Sequence, residues 1–192
     1  MSLITWFPCP GKYTTFSQIG SGTLAYDPSS ILKIIDTYPR ESFTELGGVQ
    51  YVSVTHVEPP AQISEINDAW SGRTLPPALL AHWSISREIV LLYAKGSEGI
   101  IFYDPMTSRE QTDALSSDFR IEDDSFHSDD VVVGDMQGYD HRFLYSPDEG
   151  WMIHDSIAPR SEWIRLGDTL NHLLAVYLEH HESGEWEALL RQ

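Results

Sequence analysis

Five short segments between Glu88 and Asp155 constrain the fold of this chain more than any other feature. They are rich in β-branched and aromatic residues, and glycine or proline separates each from the next, which is the pattern of β-strands. Strands that follow one another this closely pair in antiparallel fashion. The segments are EIVLLYA, GIIFYD, DVVVGD, RFLYS and GWMIHD. We therefore predict a mostly antiparallel sheet from Glu88 to Asp155.

Helical patterns lie on both sides of these strands. ISEINDAW places three apolar side chains on one face of a short helix, which Gly72 ends. A second short helix begins at Pro76 and Pro77, since proline suits the first helical turn. The segment Ser161–Glu182 has a continuous apolar stripe and predicts a long helix. The predicted fold is α+β, a mostly antiparallel sheet packed against helices, with two short helices before the sheet and a long closing helix.

The N-terminal part of the chain looks different. Its first 48 residues are rich in Gly, Ser, Thr and Pro, although Asp27 and Ser29 offer N-caps to a helix through ILKIIDTY, which Pro39 ends. The segment GGVQYVSVTHVEPP alternates like a strand and closes with two prolines. We interpret residues 1–58 as an accessory layer. A length of 192 residues predicts a single domain over residues 1–192.

Charge and cysteine content narrow the class of protein. The 29 acidic and 12 basic residues give a formal net charge of −17, which opposes binding to nucleic acid and to anionic membranes. Cys9 is the only cysteine, so neither an intrachain disulfide nor a zinc site of several cysteines can form. The N-terminal residues lack the basic start and apolar region of a signal peptide, and no run has the length of a membrane span. We expect a cytoplasmic protein; the oligomeric state stays open.

Two segments resemble the SMI1/KNR4 (SUKH) superfamily. ISEINDAWSGRTLPPALLAHW is similar to the family's first helix, glycine turn and Leu-Pro pair before the second helix, here Leu75 and Pro76. VVVGDMQGYDHRFLYSPDEGWMIHD is similar to the family's strand that runs into a Gly-Asp turn, here Gly134 and Asp135, and to a later strand that ends in an aspartate, here Asp155.

The resemblance covers residues 59–182, which leaves residues 1–58 outside it and residues 183–192 as a C-terminal extension. It implies a non-enzymatic binding role, in bacteria chiefly as an immunity protein that neutralises a cognate secreted toxin in polymorphic or contact-dependent competition. Such a toxin is often a nuclease. Some relatives are eukaryotic regulators, so a regulatory protein-interaction scaffold is a second hypothesis.

A third hypothesis, from another class, is a metal-dependent hydrolase. Its ligands or acid–base groups would come from Asp135, Asp140, His141, His154 and Asp155. However, His154 and Asp155 are neighbours in a strand and point to opposite faces. Asp135 and Asp140 are explained as turn residues, since aspartate hydrogen-bonds its own backbone in turns. We therefore predict no catalytic residue, no metal site and no cofactor.

The acidic residues cluster between Asp118 and Asp135, where Arg120 is the only arginine or lysine. Two interpretations are open, a solvated loop or a surface that binds a basic partner. A toxin that acts on nucleic acid must be basic near its active cleft, so we predict that this segment and the turn around Asp140 bind the cognate toxin. The predicted partner-binding residues are Glu122, Asp123, Asp124, Asp129, Asp130, Asp135 and Asp140.

Overall fold

The structure, a computed structural model, describes residues 28–46, 48–94, 99–117, 125–183 and 185–191. The strands are β1 (Glu41–Leu46), β2 (Val49–Val57), β3 (Ile89–Tyr93), β4 (Gly99–Phe102), β5 (Val131–Gln137), β6 (His141–Ser146), β7 (Gly150–Asp155) and β8 (Ile164–Gly167). The helices are α1 (Pro28–Ile35), α2 (Ile63–Ala69), α3 (Pro77–Ile85), α4 (Pro105–Ser116), α5 (Asn171–His180) and α6 (Trp186–Leu190), with a 3-10 turn at Arg160–Glu162. Within these ranges, no helix combines the length and hydropathy that a membrane span requires.

The fold is α+β, as predicted. All eight strands belong to one sheet, in which every neighbouring pair is antiparallel and the strand order equals the order in the sequence. The five segments predicted as strands correspond to β3 to β7. This part of the prediction is confirmed. It could be made from the sequence because the alternation of apolar residues along a strand and the turn residues at its ends are both local signals.

One face of the sheet forms the main core with α1, α2, α3, α5 and α6. The helices contribute tryptophans and branched aliphatic side chains that are excluded from solvent, which is the main stabilising contribution to such a fold. The largest fully buried side chains are Trp83, Trp151, Trp186 and Tyr177. The indole nitrogens of Trp70 and Trp83 donate to the carbonyl oxygens of Pro105 and Tyr103, each at 3.0 Å.

The other face has a smaller core beneath α4. It consists of Leu115, Val132, Leu144, Met152 and Trp163, with Phe126 packed against it. Helix α4 was not predicted, although Asp104 caps its first turn by accepting from the backbone nitrogens of Met106 at 2.9 Å and Thr107 at 3.2 Å. We refer to this side of the sheet as the second face.

The accessory layer predicted for residues 1–58 is wrong for its described part. Strands β1 and β2 are the first two strands of the sheet, so the sheet begins before α2 and α3 rather than after them. Ile31 and Ile35 of α1 are buried in the main core, and the hydroxyl of Tyr38 donates to the carbonyl of Leu174 at 2.5 Å. Residues 1–27 lie outside the described part of the chain.

The long closing helix is also corrected. Strand β8 and a turn at Gly167, where φ is +70°, occupy the first part of the predicted segment, and α5 begins only at Asn171. A left-handed backbone conformation of this kind favours glycine and ends the strand. Residues beyond α5 are not an extension, because Trp186 and Leu190 of α6 are buried in the main core.

Gly134 and Asp135 do not form a turn. Both lie within β5, where Gly134 is opposite Phe102 of β4 and Phe143 of β6. A Cβ atom at position 134 would collide with the carbonyl oxygen of Ile101. Glycine is therefore required here by the close approach of a neighbouring strand.

Candidate functional site

Residues 125–130 of the acidic segment form a tight turn before β5, which we call the acidic turn, and Asp130 anchors it. The Asp130 side chain is 0% exposed, and its oxygens accept from both terminal nitrogens of Arg160, at 2.5 and 3.1 Å. One of these oxygens also accepts from the backbone nitrogen of His127 at 2.9 Å. The prediction that Asp130 contacts a partner at the surface is therefore wrong, since its carboxylate is enclosed by its own chain.

Arg160 connects the turn to the rest of the sheet. Its guanidinium also donates to the carbonyl of Ser125 at 3.0 Å and forms an ion pair with Glu149 at 2.5 Å. Arg165 binds the other Glu149 oxygen, also at 2.5 Å. Partial burial alone would raise the pKa of the Glu149 carboxyl, but these two guanidinium groups lower it. The turn is thus fixed by a network of two carboxylates and two arginines.

Asp129 has the opposite environment to its neighbour. It is exposed and lines a groove of about 650 Å³ between the acidic turn, the α2–α3 connection and the β6–β7 hairpin. Trp70, Leu75 and Tyr145 supply apolar and aromatic surface in this groove. A displayed carboxylate beside aromatic walls is suited to a cationic side chain, which can pair with the carboxylate while its apolar stem contacts the rings.

Arg73 also lines this groove and links the α2–α3 connection to the acidic turn. Its guanidinium donates to the carbonyl of Ser128 at 3.2 Å and lies 5.9 Å from the centre of the Trp70 ring. Burial raises the pKa of the Tyr145 hydroxyl on the opposite wall, and the negative charge of Asp168 adds to that effect. The groove is thus shaped by contacts that join the connection after α2 to the acidic turn.

Asp135 lies on the second face, at the centre of β5, and is half-buried. It is opposite Ile101 of β4 and Arg142 of β6, and it shares a hydrogen bond with the Tyr103 hydroxyl. Burial raises the pKa of the Asp135 carboxyl and also that of the Tyr103 hydroxyl. Asp135 is therefore part of a polar cluster on the sheet and not the turn residue that was predicted.

Asp140 occupies the β5–β6 turn, as predicted. The backbone at Gly138 has a φ of +86°, which allows the tight reversal, and the Ser156 hydroxyl donates to the exposed Asp140 carboxylate. Asp129 lies in the turn before β5, Asp135 within the strand and Asp140 in the turn after it. Glu122, Asp123 and Asp124 lie outside the described residues. The described acidic residues are thus spread along the length of β5 and do not form one surface.

The residues of the hydrolase hypothesis are divided between the two faces of the sheet. His154 and Asp155 lie on opposite faces of β7, as predicted, because His154 is opposite Arg142 and Asp155 is opposite His141. Burial lowers the pKa of His154 to about 4, and its ring packs edge-on against Trp163 at 4.6 Å. Among the described residues, no three His, Cys, Asp or Glu side chains are placed to hold a metal ion.

Sequence reasoning missed Arg160, Arg73 and the groove. A signal for Arg160 was present, since it is the only arginine or lysine between Arg142 and Arg165 and follows a long acidic segment. The groove has no sequence signal, because its walls come from three separate parts of the chain. No family model, curated protein or solved structure matches this chain.

Proposed function

We propose that this chain is a non-enzymatic, immunity-type protein of the SMI1/KNR4 (SUKH) kind that acts in the cytoplasm. It binds a cognate secreted toxin with a basic surface and neutralises it. The acidic segment and the groove beside Asp129 form the docking site. A regulatory scaffold would use the same surface without a toxin gene as its neighbour, which separates the two hypotheses.

The observation that supports this proposal most is the contrast between Asp129 and Asp130. The buried pair of Asp130 with Arg160 fixes the turn, and that turn presents the Asp129 carboxylate to solvent at a groove. A group held in place before binding loses little conformational freedom on association. Such an arrangement is typical of a recognition surface and differs from a freely moving acidic loop.

Electrostatics favours a basic partner. A net charge of −17 attracts cationic surfaces over long distances and repels nucleic acid. Each exposed carboxylate contributes little alone, on the order of 0–1 kcal/mol, so association depends on several charges acting together. The α+β fold class and the order in which α2 and α3 precede β3 to β7 support the proposal, because the two segments that resemble the family contain two helices and, later in the chain, strands.

The test uses the purified protein encoded directly upstream of this gene as the candidate toxin. Asp123, Asp124 and Asp129 are replaced together by lysine, whereas Asp130 is kept because its replacement would disturb the fold. We expect an association rate at least about tenfold lower at low salt, with a weaker salt dependence. The rate is measured by stopped-flow or surface binding at two salt concentrations.

The matched control reverses three exposed carboxylates far along the chain, Glu179, Glu182 and Glu185. It changes the net charge by the same amount, so it reports the general effect of charge. An equal loss of association rate in both variants would show that the acidic segment is not part of the docking site. Absence of any binding by the wild-type protein to the upstream gene product would overturn the immunity function.

A further inference from the structure

The β1–β2 hairpin displays an apolar patch on the second face of the sheet. Phe43, Val52 and Val54 have 63%, 46% and 38% of their surface exposed. Phe43 is directly opposite Val52, and Val54 follows two residues later in the same strand, so the three side chains share one face. We call these three residues the hairpin patch.

The pairing of the strands shows which face this is. Val57 packs against the main core. Successive side chains of β2 point to opposite faces, and the exposed Val52 and Val54 alternate with Val57. The hairpin patch therefore points away from the main core. A row of directly paired residues then crosses the second face from β2 to β6: His56, Val90, Ile101, Asp135 and Arg142. The second core, against which Phe126 of the acidic turn packs, lies on the same face.

Large apolar side chains that are adjacent and exposed in a folded domain mark interaction surfaces more often than isolated ones do. Half of the exposed large hydrophobic residues identified in the described ranges lie in this one hairpin; they are Phe43, Val49, Val52 and Val54. Among the strands of the described residues, β1 is also at the edge of the sheet. An edge with apolar side chains favours self-association unless charge opposes it or a partner covers it.

Charge opposes a second copy of this chain at the patch. Glu41 is directly opposite Val54 on the same face, and it forms no ion pair with any described residue. Two copies that met here would bring both Glu41 carboxylates and two net charges of −17 together. A partner with a basic rim around an apolar centre would instead pair with Glu41 and cover the patch.

We propose that the hairpin patch is a second contact site for the same basic partner, an inference that rests on the proposed function. The acidic segment governs how fast the partner arrives, and burial of Phe43, Val52 and Val54 governs how slowly it leaves. Val54 pairs with Tyr93, which lies beside Gly99, and Gly99 pairs with Gln137, so three strand spacings, roughly 15 Å, separate the patch from the C-terminal end of β5 next to the Asp140 turn. One interface of ordinary size, about 800 Å² on each partner, can therefore cover the patch and that turn, whereas Asp129 at the other end of β5 acts through long-range attraction.

The first test uses a chemically defined probe, a synthetic amphipathic helix built of leucine and lysine. Nitrogen-15 NMR of the full chain maps its binding, and the variant combines Val52→Thr with Val54→Thr, which retain β-branched side chains. We expect shifts concentrated at Phe43, Val52 and Val54, and a Kd raised at least about tenfold in the variant. A peptide with glutamate in place of lysine should not bind.

Val49→Thr is the matched control. Val49 is 53% exposed and lies in the same strand, but on the opposite face from Val52. Shifts that map elsewhere, or an equal effect of the control, would overturn the assignment. So would a wild-type dimer in sedimentation that the double variant abolishes, because a second copy would then occupy the patch.

A kinetic measurement separates this inference from the proposed function. With the upstream gene product as partner, the double variant should dissociate at least about tenfold faster with an unchanged association rate. If that protein binds the wild type and the double variant equally, the patch assignment is wrong while the function stands. If the peptide maps to the patch and the upstream product does not bind, the patch stands and the immunity function is wrong.

Discussion

Asp130 and Arg160 are 30 residues apart in the chain, yet they form a two-point ion pair that is almost entirely excluded from solvent. Two parallel hydrogen bonds between a carboxylate and a guanidinium give the pair a defined orientation as well as attraction. It fixes the acidic turn directly before β5. Its energetic importance can be measured by removing one partner.

We predict that Asp130→Ala lowers the free energy of unfolding by about 3–5 kcal/mol, because it leaves the Arg160 charge buried without its main partner. Urea denaturation followed by circular dichroism measures this change. Asp129→Ala is the control, since its side chain is exposed and its removal should change stability by less than about 0.5 kcal/mol. Similar losses in the two variants would show that the buried pair contributes no more than an ordinary surface charge.

Two buried histidines predict that the fold is sensitive to acid. Burial lowers the pKa of His82 and of His154 to about 4, well below the ordinary value of 6.5. Between about pH 6.5 and pH 4 the unfolded chain binds protons at these imidazoles and the folded chain does not. The free energy of unfolding therefore falls as pH decreases through this window, by up to about 1.4 kcal/mol per pH unit for each histidine.

His82→Leu tests this prediction, because His82 is enclosed between the rings of Phe102 and Trp151. Between pH 6.5 and pH 4 the free energy of unfolding should fall less in the variant than in the wild type. The slopes of the two curves against pH should differ by the equivalent of about one bound proton. Urea denaturation at several pH values gives the slopes. Parallel curves for His82→Leu and the wild type would contradict the assignment.

Gly134 is predicted to tolerate no side chain. A methyl group there would press on the carbonyl oxygen of Ile101, and it would approach the Cα of Phe102 to 3.2 Å. Since both are backbone atoms of β4, the strands must separate, and we expect Gly134→Ala to cost about 3 kcal/mol. Gly72→Ala is the comparison, because φ is +83° there but no atom lies within 4 Å, so only the left-handed backbone costs energy, about 1 kcal/mol. Equal melting temperatures for the two variants would refute the close approach.

The strands β3 to β7 could be predicted because each has its own alternation and its own turn residues. Strand β8 could not, since Trp163 and Leu166 continue the spacing of the apolar residues in α5 and imitate a single helix. Helix α4 was missed for a different reason. Its inward side chains include Ser108 and Thr112, which bond the backbone of Val132 at 2.5 and 2.9 Å, so the helix lacks an apolar stripe.

The candidate site was predictable only in part. A local sequence pattern indicates that residues near Asp129 are acidic, but it cannot indicate which of two adjacent aspartates is buried. That choice depends on Arg160, whose position is set by the β7–β8 connection. Asp135 was misplaced because a Gly-Asp pair usually marks a turn, whereas here the glycine makes room for β4.

The strand order of the sheet has a consequence for synthesis of the chain. Because each strand pairs with its neighbours in sequence, every hairpin can form as soon as its second strand leaves the ribosome, without waiting for distant residues. Helix α1 is the exception. The side-chain amide of Asn171 in α5 donates to the Ser30 hydroxyl of α1 at 2.8 Å across 141 residues, so α1 stays without this partner until α5 has been translated. We therefore expect nascent chains to acquire protease resistance strand by strand, and α1 to be protected only after α5 has formed.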